Sequence, residues 1–163
     1  MLKQYPSSFS PAAEAYPTNP NSFESRKESD VRALSGELVF IGLGLSDEYG
    51  LSLRGQAEAR SCNVLFAEFY TNPMPRLDMS YLNGLVGKQV TVLSRSEVEE
   101  KAQEMILAKA ATGKVGLLVP GDPMIATTHV DLRLRAYKAG ISTRIIHAAS
   151  VLSAAAGVTG LQS

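Results

Sequence analysis

Apolar residues in this chain come in short, unbroken runs separated by glycine- and proline-bearing turns. Leu38-Val39-Phe40-Ile41 leads into Gly42-Leu43-Gly44, the pattern of a buried strand entering a tight loop. Ser52 is a candidate cap for a helix reaching Arg60, and Asn63 to Phe66 reads as a second strand. Pro73, Pro75, Gly84 and Gly87 mark Asn72 to Gly87 as loop with one helical turn at most, before a β-prone segment from Gln89 to Leu93. Ser96 to Ala111 predicts a helix capped by Ser96, with Val98, Ala102, Met105 and Ile106 forming one apolar stripe. Val115 to Val119 is continuously apolar, as in a parallel strand covered on both faces, and Pro120-Gly121-Asp122-Pro123 stops it. A helix is predicted from Thr128 to Ala139, opened by a Thr128-x-x-Asp131 capping box and closed before Gly140. Thr143 to His147 then reads as a strand, and Ser150 to Gly157 as an alanine-rich buried helix.

Strand alternating with helix predicts an α/β fold: a mostly parallel sheet with helices on both faces. Residues Met1 to Gly36 break this pattern. They hold four of the eight prolines and seven serines, without helical or alternating period, so 1–36 is expected to be a disordered extension and 37–163 the folded domain.

Ligands of open α/β sheets bind beyond the carboxyl ends of the strands. Three loops should emerge there: Gly42 to Ser46, Pro120 to His129, and His147 to Val151. In the first, Gly42-x-Gly44 serves equally as a tight turn or as a close approach of backbone to ligand; Asp47 breaks the longer dinucleotide pattern. In the second, Asp122 suits either an Asx-type turn or a carboxylate accepting hydrogen bonds from a ligand. Glu68 is a candidate general base or a polar group closing a strand, and the Glu97 to Glu100 cluster reads as a solvated helix face. His129 and His147 lack partners at metal-ligand spacing, and a structural or surface role is expected for each. No nucleophile-elbow or phosphate-loop motif occurs, so no dedicated catalytic residue and no metal are expected.

Composition narrows the picture further. Among 163 residues, 16 Lys+Arg balance 16 Asp+Glu, which argues against a partner gripped through nucleic-acid phosphates. Cys62 is the only cysteine, so an internal disulfide is excluded. No run reaches the about 18 apolar residues of a membrane span. A soluble cytoplasmic protein without a membrane partner is the expectation.

Three runs together carry a resemblance: Phe40-Ile41-Gly42-Leu43-Gly44-Leu45, Ala67-Glu68-Phe69-Tyr70-Thr71, and Pro120-Gly121-Asp122-Pro123-Met124-Ile125-Ala126-Thr127-Thr128-His129. With Ile145-Ile146-His147-Ala148-Ala149-Ser150 and Gly157-Val158-Thr159-Gly160-Leu161, they resemble the diphthine synthases, of archaeal type, within the wider tetrapyrrole-methylase-like group. The resemblance covers Glu37 to Leu161. It implies an S-adenosyl-L-methionine-dependent N-methyltransferase acting on the amino group of a 3-amino-3-carboxypropyl histidine in translation elongation factor 2, a step toward diphthamide. It also implies a homodimer, and cofactor contacts at Leu45, Asp122, Ile125, Ser150 and Val151. Such proteins carry a second α/β domain after the Gly160-Leu161 motif, so the chain reads as the N-terminal cofactor domain of a truncated member. The alternatives are a related methyltransferase acting on a corrin, porphyrin or ribosomal RNA, and a non-catalytic cofactor-binding fragment.

Overall fold

The computed structural model describes residues 36–161. The extension expected over 1–36 lies, except for its last residue, outside them. Five strands, β1 (Glu37–Gly42), β2 (Val64–Ala67), β3 (Val90–Val92), β4 (Lys114–Val119) and β5 (Ser142–Ile146), form one sheet in the order β3-β2-β4-β1-β5. Every neighbouring pair is parallel. The predicted α/β architecture is therefore the observed one.

Alternation along the strands decides which helix covers which face. Leu38 and Phe40 of β1 join Val115, Leu117 and Val119 of β4 on one face. Val98, Ala102, Ile106 and Ala110 pack there, together with Leu132 and Ala136 of α5 (His129–Lys138). Val39 and Ile41 point the other way, onto Ala59 of α1 (Leu53–Ser61) and Leu82 and Val86 of α2 (Met79–Val86). With both faces covered, β1 and β4 are buried almost end to end, which is why they read as continuous apolar runs.

Local chemistry starts and stops the helices. The Ser52 hydroxyl accepts from the Gly55 amide at 3.0 Å and opens α1, as predicted. The expected loop before β3 holds α2 instead. Asp78 accepts from the amides of Ser80 and Tyr81, and Gly87, at φ 71°, closes the helix. Gly87 is thus a helix stop and Gly84 a tolerated interior residue.

The helix expected over Ser96 to Ala111 is broken into α3 (Arg95–Glu99), a π-helical turn (Gln103–Leu107) and α4 (Ala108–Ala110). Its cap is Ser94, in a reciprocal capping box with Glu97, and not Ser96. The predicted stripe still faces the sheet, because Val98, Ala102 and Ile106 are buried and Met105 packs against them. At α5 the predicted Thr128 box is absent: the Thr128 hydroxyl donates to Glu99 instead, at 2.9 Å. The alanine-rich α6 (Val151–Thr159), capped by Ser150, has no buried residue among those described, contrary to the buried helix expected. Its larger apolar side chains, Val151, Leu152 and Val158, are exposed and do not pack on the sheet.

Below the sheet, at the amino ends of β1, β4 and β5, opposite charges interlock. Arg144 reaches Glu37 and Glu58 at 2.6 Å each, and Lys114 reaches Glu58 at 2.8 Å. The Lys114 bond, with that of Arg144, holds the Glu58 carboxyl below the ordinary range against the opposing effect of burial.

Candidate functional site

The strand order creates the site. β1 connects through α1 to β2 on one side, whereas β4 connects through α5 to β5 on the other. β1 and β4 are neighbours, so the chain leaves their carboxyl ends in opposite directions and opens a crevice between the two loops. The floor of the crevice is stitched by Gly44 and Gly121, which exchange backbone hydrogen bonds at 3.2 and 2.7 Å. Gly44 has φ 80°, and a Cβ there would lie 2.8 Å from the carbonyl oxygen of Gly50. The tight-turn requirement at Gly44 is therefore real.

Leu45, Asp122, Ile125, Ser150 and Val151 all line one cavity of about 240 Å³ above this floor. The three loops converge because β4, β1 and β5 are adjacent. Thr71, Asn72, Pro120, Gly121 and Ala126 complete the lining. Thr71, Asn72 and Ala126 were not singled out from the sequence as contacts, although Thr71 and Ala126 belong to its most specific runs. Ala126 holds φ 54°, the one non-glycine residue at positive φ among the described residues, and such strain gathers at ligand sites.

Asp122 is almost buried and holds its surroundings together. One carboxylate oxygen accepts from the Met124 amide at 3.0 Å, the Asx turn read as one of its two roles. The other accepts from His147 Nδ1 at 2.7 Å and the Ala148 amide at 3.4 Å. Asp122 thereby ties the loop after β4 to the loop after β5, while one edge still faces the cavity. His147 is mostly exposed, and spacing along the chain gave no sign of its pairing.

Beside the cavity lies a second pair that the sequence did not reveal. Glu68 and His129 are fully buried, with Oε1 and Nε2 3.0 Å apart. Glu68 Oε2 accepts from the amides of Tyr70 and Thr71, each at 3.1 Å, and Oε1 also accepts from the Thr71 hydroxyl. Burial pushes this carboxyl upward, but the bonds from His129 and Thr71 outweigh it and leave the group below its ordinary range. The pair pins the loop after β2, which supplies Thr71 and Asn72, to the start of α5. His129 is accordingly a core residue. Its Nδ1 is buried without a hydrogen-bond partner among the described residues.

The lining divides into apolar surface from Leu45, Ile125 and Val151 and polar groups from Thr71, Asp122 and Ser150. That mixture suits a small, partly apolar ligand carrying a few hydrogen-bonding groups. No group of three or more metal-ligating side chains occurs among the described residues, and no helix there is long and apolar enough to cross a membrane.

Comparison with known proteins shows the family and agrees with the fold. Residues 37–163 match the family model of the tetrapyrrole (corrin/porphyrin) methylases. Diphthine synthase of Methanocella arvoryzae is 48% identical over 126 residues, 77% of this chain and 49% of that protein. Diphthine synthase of Methanosarcina acetivorans is 49% identical over 126 residues, covering 77% of this chain and 47% of its own length. A crystal structure of diphthine synthase superposes with a TM-score of 0.72 at 40% identity, over 77% of this chain and 49% of that one. The chain thus spans about half the length of the curated relatives it matches.

Proposed function

The chain belongs to the family of tetrapyrrole (corrin/porphyrin) methylases, and from that premise we propose that it forms the cofactor-holding part of a diphthine synthase. S-adenosyl-L-methionine is the cofactor in this reading, and it brings an already activated methyl group. The acceptor is the amino group of a 3-amino-3-carboxypropyl histidine in translation elongation factor 2, the working assembly is a homodimer, and the compartment is the cytoplasm. Archaeal diphthine synthases near 48% identity support this branch over relatives that act on tetrapyrroles or RNA.

The observation that carries the reading is the convergence of Leu45, Asp122, Ile125, Ser150 and Val151 on one cavity at the switch point of the sheet. Leu45, Ile125 and Val151 cover apolar faces of the ligand and exclude water. Ser150 and Thr71 supply hydroxyls, and Asp122 presents negative charge to hydrogen-bond donors. Holding and orienting the reactants lowers the barrier without a protein nucleophile or metal.

Asp122→Ala tests the cavity directly. We expect affinity for S-adenosyl-L-homocysteine to fall by about 1–3 kcal/mol in titration calorimetry, the cost of losing a buried charged hydrogen-bond acceptor. Unchanged affinity would leave Asp122 with its turn role alone. Transfer of labelled methyl to elongation factor 2 bearing the modified histidine, and none to tetrapyrrole or RNA, is the expected result for the branch.

A further inference from the structure

The two most specific sequence runs, residues 67–71 and 120–129, are not used up by the cofactor cavity. They also meet across a second cavity of about 470 Å³. The two spaces adjoin, since Thr71 and Ala126 line both. Behind this shared wall stands the Glu68–His129 pair, which fixes the loop bearing Tyr70 and Thr71 against the start of α5.

Among the described residues, Arg95 is the only cationic side chain lining the second cavity. Its Nε donates to Glu99 at 2.9 Å, and the other oxygen of Glu99 accepts from the Thr128 hydroxyl at 2.9 Å. Those two bonds hold the Glu99 carboxyl below its ordinary range, so it remains charged and keeps its grip on Arg95 at neutral pH. A guanidinium carries five N–H donors in a planar fork, and only Nε is engaged among the described residues. Its terminal nitrogens can therefore donate to one further group. Thr71, Thr127 and Thr128 line the same wall; the hydroxyls of Thr71 and Thr128 already donate to Glu68 and Glu99, whereas that of Thr127 accepts from the His129 amide and keeps its proton to give.

A positioned guanidinium beside the Thr127 hydroxyl suits a planar carboxylate, which it can meet through paired hydrogen bonds. Glu99 beside it cancels one charge, which disfavours a doubly charged phosphate and favours a singly charged group. Resting on the proposed function, we infer that this second cavity takes the carboxylate of the acceptor's amino-acid head, and that Arg95 selects it. The carboxylate and the reacting amino group share one carbon atom. Anchoring the first at Arg95 limits where the second can lie and directs it toward the wall at Thr71 and Ala126, on the cofactor side. Arg95 then decides between an amino acid and a plain amine.

The test titrates the full 163-residue chain, saturated with S-adenosyl-L-homocysteine, with two synthetic peptides. One carries histidine bearing a 3-amino-3-carboxypropyl group, and the other a 3-aminopropyl group without the carboxylate. The wild type should bind the first about tenfold more tightly, the scale of one charge-assisted hydrogen bond. Arg95→Ala should abolish that preference by weakening only the first peptide, and Arg95→Lys should restore part of it. Arg95 is largely exposed, so both variants are expected to fold, with melting temperature as the check. Affinity for S-adenosyl-L-homocysteine should be unchanged in both. A preference that survives Arg95→Ala overturns the inference, and so does a wild type that binds S-adenosyl-L-homocysteine but shows no preference. A wild type that fails to bind S-adenosyl-L-homocysteine sinks the cofactor reading itself, and this inference with it.

Discussion

Glu68 accepts four hydrogen bonds where its side chain has no contact with water. Removing it strands the His129 ring, the Thr71 hydroxyl and two backbone amides. Glu68→Ala is therefore expected to cost about 3–5 kcal/mol in chemical denaturation, as when one partner of a buried charged pair is deleted. The acid limb of the stability profile carries a second signature. The native Glu68 pKa lies below the ordinary value, so the unfolded chain takes up a proton first as pH falls. Its contribution is present above the ordinary carboxylate range of about 4.3 and is lost as pH drops through the lower native value. Glu68→Gln should flatten that loss below the ordinary carboxylate range, and a profile parallel to wild type would contradict the assignment. The sequence offered a strand-closing role for Glu68 and a structural one for His129, but their pairing was not legible in it. Glu68 and His129 stand 61 positions apart, and only the adjacency of β2 and β4 brings their strand ends together.

Among the elements, β1 and β4 were the clearest in the sequence and matter most for the site. Their side chains face helices on both sides, so burial imposed the apolar runs that identify them. The turn after β1 is equally constrained. Gly44→Ala places a methyl group against Gly50 at a left-handed backbone, whereas Gly121→Ala, at φ 68°, meets nothing within 4 Å. Gly121→Ala should lose about 1–2 kcal/mol from backbone strain alone. Gly44→Ala should lose more and also weaken cofactor binding, because Leu45 follows directly. Thermal melts and calorimetry on the pair check that order, and equal losses would count against the steric argument. Elements fixed by side-chain capping were harder to read. α2 depends on Asp78 and Gly87, and glycine at a helix end resembles glycine in a loop until the cap is visible. The break between α3 and α4 has no proline or glycine to announce it.

For the molecule as a whole, Cys62 offers a probe of cooperative opening. It is buried among Leu65, Val90 and the helices of one face, and burial pushes its thiol up to about 11. At pH 8 a disulfide reagent should react with the native protein only as fast as the domain opens, and rapid labelling of folded protein would refute the packing. The neutral net charge also takes on structure in the fold. Glu37, Glu58, Lys114 and Arg144 neutralise one another at the closed end of the sheet. Asp122 and the Arg95–Glu99 pair stand at the opposite end, around the cavities.

By itself the sequence determined the class of fold, the strands and the three loops able to hold a ligand. Periodicity and burial act on neighbouring residues and leave their mark locally. The family resemblance carried by the sequence's short runs implied Leu45, Asp122, Ile125, Ser150 and Val151 as contacts. Only the tertiary structure decided which strands lie side by side. That order makes the crevice, sets Asp122 against His147 and Glu68 against His129, and places Arg95 beside the wall shared by two cavities. Such contacts join residues far apart in the chain, and no local pattern encodes a partner that the sheet order alone supplies.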